Sequence, residues 1–125
     1  MKPKRFTKSI VAALRDNKIL SLRAGKDPHR FIGIWAVVFE SRVFVRSWSL
    51  KPRSWYRTFL VEPQGIIQVA DRQIPVRAVR TRSERLKKAV SQAYLEKYST
   101  RGSIKYARDL GRAKSRATTT ELVPF

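Results

Sequence analysis

Arg46 and Ser47, set at the end of an apolar run and followed by Trp48, are the residues of this chain best suited to holding a ligand. A guanidinium beside a hydroxyl offers positive charge and hydrogen-bond donors to an anion. All three tryptophans, Trp35, Trp48 and Trp55, fall within the same stretch, and Tyr56 and Arg57 directly follow the last. Indoles next to a cation suit a flat, ring-bearing, negatively charged molecule. An ordinary amphipathic strand whose charged tip meets water has the same pattern, and both readings stand at this level.

The residues that are missing constrain chemistry further. With no cysteine in the chain there is no disulfide framework, thiol nucleophile or thiolate zinc site. His29 is the single imidazole, so no histidine-rich metal centre forms, and no metal is expected. It lies in Gly25-Lys26-Asp27-Pro28-His29, a run of turn residues that predicts a surface loop. Acids are few and scattered, which leaves little material for a paired-carboxylate hydrolase. No side chain stands out as catalytic; if the protein is an enzyme, a bound cofactor carries the chemistry.

Short alternating elements must position these groups. Thr7 as N-cap, with Ile10, Val11 and Leu14 as an apolar stripe, predicts a helix over 8–16. A first strand follows at Ile19 to Leu22. Phe31 to Phe39 and Arg42 to Trp48 read as two strands paired across Glu40-Ser41, although neither turn residue is Gly or Asn. Pro52 suits the first turn of a helix that carries Trp55, Tyr56, Phe59 and Leu60 on one face and stops at Pro63. A second hairpin joins Ile66–Val69 to Ile74–Val79 around Asp71-Arg72, with Pro75 implying a bulge or a free edge. Ser83 caps the longest helix, whose buried stripe is Leu86, Ala89, Val90, Ala93 and Tyr94. A short helix or turn around Tyr106 and Leu110 precedes a final strand over 117–125. This order predicts an α+β fold, a mostly antiparallel barrel or curled sheet with peripheral helices. The length, 125 residues, suits one domain spanning 1–125.

Charge points to partners. The chain has 28 Lys+Arg against 9 Asp+Glu, a formal net charge of +19. Such an excess attracts polyanions. Residues 101 to 116 concentrate it in Arg101, Lys105, Arg108, Arg112, Lys114 and Arg116, with Asp109 the one acid and Tyr106 placed to stack on a base. No zinc finger, helix-turn-helix or RNA-recognition signature accompanies them, so any nucleic-acid binding is expected to be non-specific. The basic start Met1-Lys2-Pro3-Lys4-Arg5 leads into an apolar stretch, Ile10 to Leu14, too short for a secretory core. No run approaches the roughly 18 apolar residues of a membrane span. A cytoplasmic protein is expected.

The order Trp35-Ala36-Val37-Val38, then Val43-Phe44-Val45-Arg46-Ser47, then Trp55-Tyr56-Arg57 resembles an uncharacterised bacterial family placed among the FMN-binding split-barrel proteins. Wider relatives include pyridoxamine-phosphate-oxidase-like flavoproteins and deazaflavin-dependent nitroreductases. The resemblance runs from the first helix to the closing Leu122-Val123-Pro124. It implies a six-stranded split β-barrel that binds FMN, or a deazaflavin, and often pairs as a homodimer. By position it makes Arg46 the phosphate cation and Ser47 a hydroxyl donor. Trp48, Trp55 and Tyr56 become walls around the ring, with Lys51 and Arg57 as secondary anion contacts. Thr58 departs from the deazaflavin pattern, which often has Asn there. Two readings result: a flavin- or deazaflavin-binding protein with an oxidoreductase-like role, or a non-enzymatic basic module that binds nucleic acid or another polyanion.

Overall fold

The structure is a computed structural model and describes residues 5–26 and 29–125. The basic start at 1–4, and Asp27 and Pro28 of the expected loop, lie outside the described residues; His29 beside them is exposed. The elements run α1 (Lys8–Asp16), β1 (Leu20–Ala24), β2 (Ile32–Ile34), β3 (Ala36–Phe39), β4 (Arg42–Val45), α2 (Trp55–Val61), β5 (Gln64–Val69) and β6 (Arg72–Arg80). The remainder are α3 (Glu84–Lys97), α4 (Ile104–Asp109), α5 (Ala113–Arg116) and β7 (Thr120–Pro124).

Every strand pairing is antiparallel, in the order β2-β1-β5-β6-β7-β4-β3. The two ends of that order, β2 and β3, are separated in the chain by Trp35 alone. One bent stretch therefore pairs with β1 through its first half and with β4 through its second, and the sheet curls into a nearly closed barrel. The α+β barrel class matches the sequence-based expectation. Seven strands stand where six were expected, because the run 31–39 breaks at Trp35 instead of continuing.

Period-two alternation sets what fills the barrel. Leu20, Leu22 and Ala24 of β1, Val43 and Val45 of β4, Ile67 and Val69 of β5, Val76 of β6 and Leu122 of β7 point inward into one cluster. Helix α1 adds Ile10 and Leu14 to that cluster, and α2 adds Phe59. The outward residues Val37 and Phe44 are covered by α3 through Leu86, Val90, Tyr94 and Tyr98, and by Ala107 and Leu110 of the α4 segment. Residues between these apolar positions on β6, such as Arg77, face water.

Local signals explain the boundaries. Thr7, Ser54 and Ser83 cap α1, α2 and α3, their hydroxyl groups accepting from the backbone N–H of Ile10, Arg57 and Leu86. Pro52 thus lies in the turn before α2, not within its first turn. Helix α2 has seven residues and buries Tyr56 and Phe59, so Leu60, expected on the packed face, stays 54 % exposed. Both hairpins turn in two residues, Glu40-Ser41 and Ala70-Asp71, all four with positive φ between 51° and 61°. That left-handed pair is the turn whose twist suits a hairpin, adopted here without glycine. Pro75 faces the neighbouring strand just beyond the last paired residue of β7, where its carbonyl accepts from Phe125 N–H. No ladder donor is needed there, which is how a central strand accommodates it.

Lys97, at the end of α3, donates to the carbonyls of Leu14 and Ala36 at 2.9 and 2.6 Å. Burial, reinforced by the Lys18 ammonium, pulls its pKa down to about 8 against an attraction from Asp16. Above that value the folded chain holds Lys97 neutral, while the unfolded chain keeps the proton up to about 10.4. The unfolded state then binds more protons, so this lysine makes stability climb as pH rises from about 8 towards 10.4. Urea unfolding of the wild type and Lys97→Met across that window should show the steeper rise in the wild type; parallel curves would remove Lys97 as the cause.

Candidate functional site

The candidate site is an open cleft of about 420 Å³ where the end of β4 meets β2 and the start of α2. Its apolar walls are Ile32, Ile34, Trp48 and Trp55, and Lys51 and Arg53 supply cations along its rim. Ile32 and Trp48 remain 39 % and 40 % exposed, so the cleft presents apolar surface to solvent. Ser47, Ser49 and Ser54 add hydroxyl groups. A cleft of this size, mostly apolar and with a few polar groups, has the composition of a small-molecule site.

Arg46 borders the cleft, but its guanidinium faces the protein. Nε donates to Thr119 Oγ1 at 2.8 Å, Nη1 to Ser91 Oγ at 2.7 Å and to the Leu110 carbonyl at 2.9 Å, and Nη2 to the Lys87 carbonyl at 2.7 Å. Four hydrogen bonds thereby tie the end of β4 to the middle of α3, the segment after α4 and the start of β7. The residue is 2 % exposed, and burial pulls its pKa down to about 10, which still leaves it charged at neutral pH. Among the described residues no carboxylate joins this set, and its hydrogen-bond partners are neutral oxygens. The sequence-based reading of a guanidinium presented to a phosphate is corrected in this respect, since the acceptors around it already belong to the chain.

Ser47 is likewise engaged. Its hydroxyl donates to the Ser49 carbonyl at 2.7 Å and accepts from Ser49 N–H at 3.1 Å, closing a small turn. Its backbone N–H donates to Thr118 Oγ1 at 2.8 Å. The effect of the pair is to fix where Trp48 stands. That indole lies edge-on to Trp35 at 5.2 Å and to Tyr106 at 6.5 Å, while Trp35 stacks flat on Tyr98 at 3.9 Å. Tyr94 ties the stack to the strand: its hydroxyl donates to the Trp35 carbonyl at 2.9 Å and accepts from Arg46 N–H at 3.1 Å. Burial pushes the pKa of Tyr94 well up and that of Tyr98 up to about 12, so both stay protonated donors.

Of the residues the sequence nominated, Arg46, Ser47, Trp48, Lys51 and Trp55 gather along the cleft. Tyr56 is buried beneath α2, its ring edge-on to Trp55 at 6.3 Å. Arg57 is exposed on the same helix, outside the cleft lining. Arg53, Ile32 and Ile34 were missed. Position alone signalled them: Arg53 stands two residues before Trp55, and Ile32 and Ile34 alternate at the start of the strand that Trp35 breaks. Ser91 was missed as well; its only trace is a hydroxyl residue adjoining the apolar stripe of α3.

The second cluster is at the surface. Arg101, Lys105, Arg108, Arg112 and Lys114 are exposed, with Arg112 paired to Asp109 at 3.3 Å. Arg116 instead turns to Glu84 at 2.7 Å, and that contact holds the Glu84 carboxyl below the usual carboxylate range. Among the described residues no group of three or more His, Cys, Asp and Glu side chains gathers as a metal site, and no helix is long and apolar enough to cross a membrane.

Comparison with known proteins agrees with the architecture. The crystal structure of the conserved hypothetical protein Rv2991 from Mycobacterium tuberculosis superposes with a TM-score of 0.57 at 11 % identity, over 98 % of this chain and 81 % of that one. That likeness is one of fold. No curated protein matches the sequence. Residues 9–122 match the profile of DUF2255, described as uncharacterised protein conserved in bacteria, and the chain belongs to that family.

Proposed function

We propose that the cleft binds FMN or a deazaflavin, as in the FMN-binding split-barrel proteins that the sequence resembles, and that the protein has an oxidoreductase-like role. The observation that carries the reading is the pairing of two indoles, Trp48 and Trp55, with two rim cations, Lys51 and Arg53, around one open apolar cleft. A flat ring gains from apolar and aromatic walls, and a phosphate gains from cations at the mouth. In this reading Lys51 and Arg53 meet the phosphate, because the Arg46 guanidinium is held by Thr119, Ser91, Leu110 and Lys87. Arg46 and Ser47 serve by holding the loop that carries Trp48. The cofactor, when bound, would supply hydride chemistry; the chain binds it, orients it and shields one side of it from water.

Titration calorimetry with FMN, riboflavin and a 5-deazaflavin phosphate tests this. FMN should bind more tightly than riboflavin. Lys51→Ala combined with Arg53→Ala should erase that preference, a loss of about 1–3 kcal/mol for FMN with riboflavin little changed. Trp55→Ala should weaken both by about 1 kcal/mol or more. Equal affinity for FMN and riboflavin in the wild type, or no binding of any of the three, would end the proposal.

A further inference from the structure

A second surface adjoins the cleft and has a different composition. The chain from 100 to 112 winds in near-continuous helical turns around α4, with backbone bonds from Ile104 N to Thr100 O and from Leu110 N to Tyr106 O. Ala107 and Leu110 are buried against α3. Their burial turns Arg101, Lys105, Arg108 and Arg112, spaced at i, i+4, i+7 and i+11, towards solvent as one stripe. Arg112 has Asp109; Arg101, Lys105 and Arg108 form no ion pair among the described residues.

Beside the stripe stand two exposed rings. Tyr106 is 46 % exposed and Trp48 is 40 % exposed, and they meet edge-to-face at 6.5 Å. The Lys105 ammonium sits 5.0 Å from the centre of the Tyr106 ring. Exposed rings beside cations offer stacking faces to the bases of a nucleic-acid strand. Positive charge continues past Trp48 at Lys51 and Arg53.

We infer that the α4 surface, with Tyr106 and Trp48 as stacking platforms and Arg101, Lys105 and Arg108 as phosphate contacts, binds single-stranded nucleic acid without sequence preference. The chemistry favours a single strand over other polyanions for two reasons. A duplex hides its base faces within the stack, so it would use the cations and leave the rings bare. An acidic peptide likewise has no repeating flat group for them. A base on Tyr106 takes the place of the Lys105 ammonium, freeing it for the adjacent phosphate. The net charge of +19 draws the strand in from a distance. Trp48 is shared with the cleft, so binding is measured on protein without added flavin, whereas Tyr106 and the three cations lie outside the cleft lining.

The test is fluorescence anisotropy with a labelled oligothymidylate of about 15 nucleotides, a duplex of the same length, and polyglutamate as competitor. The single strand should bind most tightly and polyglutamate should displace it poorly. Tyr106→Ala, at an exposed position where folding is readily verified by circular dichroism, should weaken binding about five-fold or more and leave the salt dependence unchanged. Lys105→Ala with Arg108→Ala should lower the slope of log affinity against log salt by about 1.4, near 0.7 for each phosphate left without its cation. Arg77→Ala with Arg72→Ala, both exposed on β6, should leave binding as in the wild type. Three results would each overturn the inference: Tyr106→Ala binding like wild type, the duplex or polyglutamate binding as well as the single strand, or the β6 pair mattering as much as the α4 pair.

Discussion

Arg46→Ala is expected to lower the unfolding free energy by about 3 kcal/mol and the melting temperature by about 10 °C. The guanidinium makes four hydrogen bonds to chain acceptors, each worth about 1.5–3 kcal/mol when the donor is charged. Against them stands the cost of keeping a cation out of water with no carboxylate beside it, several kcal/mol. What is left, together with the lost packing of the aliphatic stem, gives the net figure. Arg46→Met separates the two contributions by retaining the stem; it should recover about half of the loss, the part due to packing, since both variants remove the charge together with its desolvation. Thermal and urea unfolding would measure both. A melting temperature unchanged in Arg46→Ala, with cofactor affinity reduced, would show instead that the guanidinium turns to a bound ligand.

Gly65→Ala should cost about 2–3 kcal/mol, the second large effect, for a reason of space. Gly65 pairs with Ala24 across β1 and β5. A Cβ there would come 2.5 Å from the Arg23 carbonyl oxygen and 3.2 Å from both Ala24 Cα and the Phe59 ring. Two of those three neighbours are backbone, so β1 and β5 must separate to admit one methyl group. Phe59 links the disturbance to the cleft, because its ring meets Trp55 edge-on at 5.8 Å. The variant is expected to show a lower urea midpoint together with a shifted tryptophan emission maximum. A midpoint equal to the wild type would mean that the strands part at no cost.

The barrel was legible in the sequence because its signals are local. Thr7 and Ser83 sit at the head of apolar helical stripes and do cap α1 and α3. The apolar runs on either side of Glu40-Ser41 do pair as strands, as do those of the second hairpin, whose turn falls at Ala70-Asp71 where Asp71-Arg72 was expected. Trp35 gave no such signal: a tryptophan inside an apolar run reads as strand, and only closure of the sheet makes the chain bend there. Strand β4 ends at Val45 and β7 begins at Thr120, each shorter than its run suggests, because the hydroxyl groups of Thr118 and Thr119 are engaged with the Ser47 N–H and with Arg46. The site was half legible. Aromatics and cations were found by type, and five of the nominated residues border one cleft. Which way Arg46 points could not be read, since its acceptors on Lys87, Ser91, Leu110 and Thr119 lie 41 to 73 positions away in the chain. An arginine at a strand end looks the same in sequence whether it meets water, a phosphate or four oxygens of its own protein.

The bend at Trp35 has a further effect on how molecules of this protein meet one another. Because β2 and β3 are halves of one stretch, the outermost rows of the sheet are three and four residues long. A neighbouring molecule finds almost no backbone template to extend, so growth into ordered fibrils is starved at its first step. Crowded copies must recognise each other through side chains, whose preponderant positive charge pushes them apart.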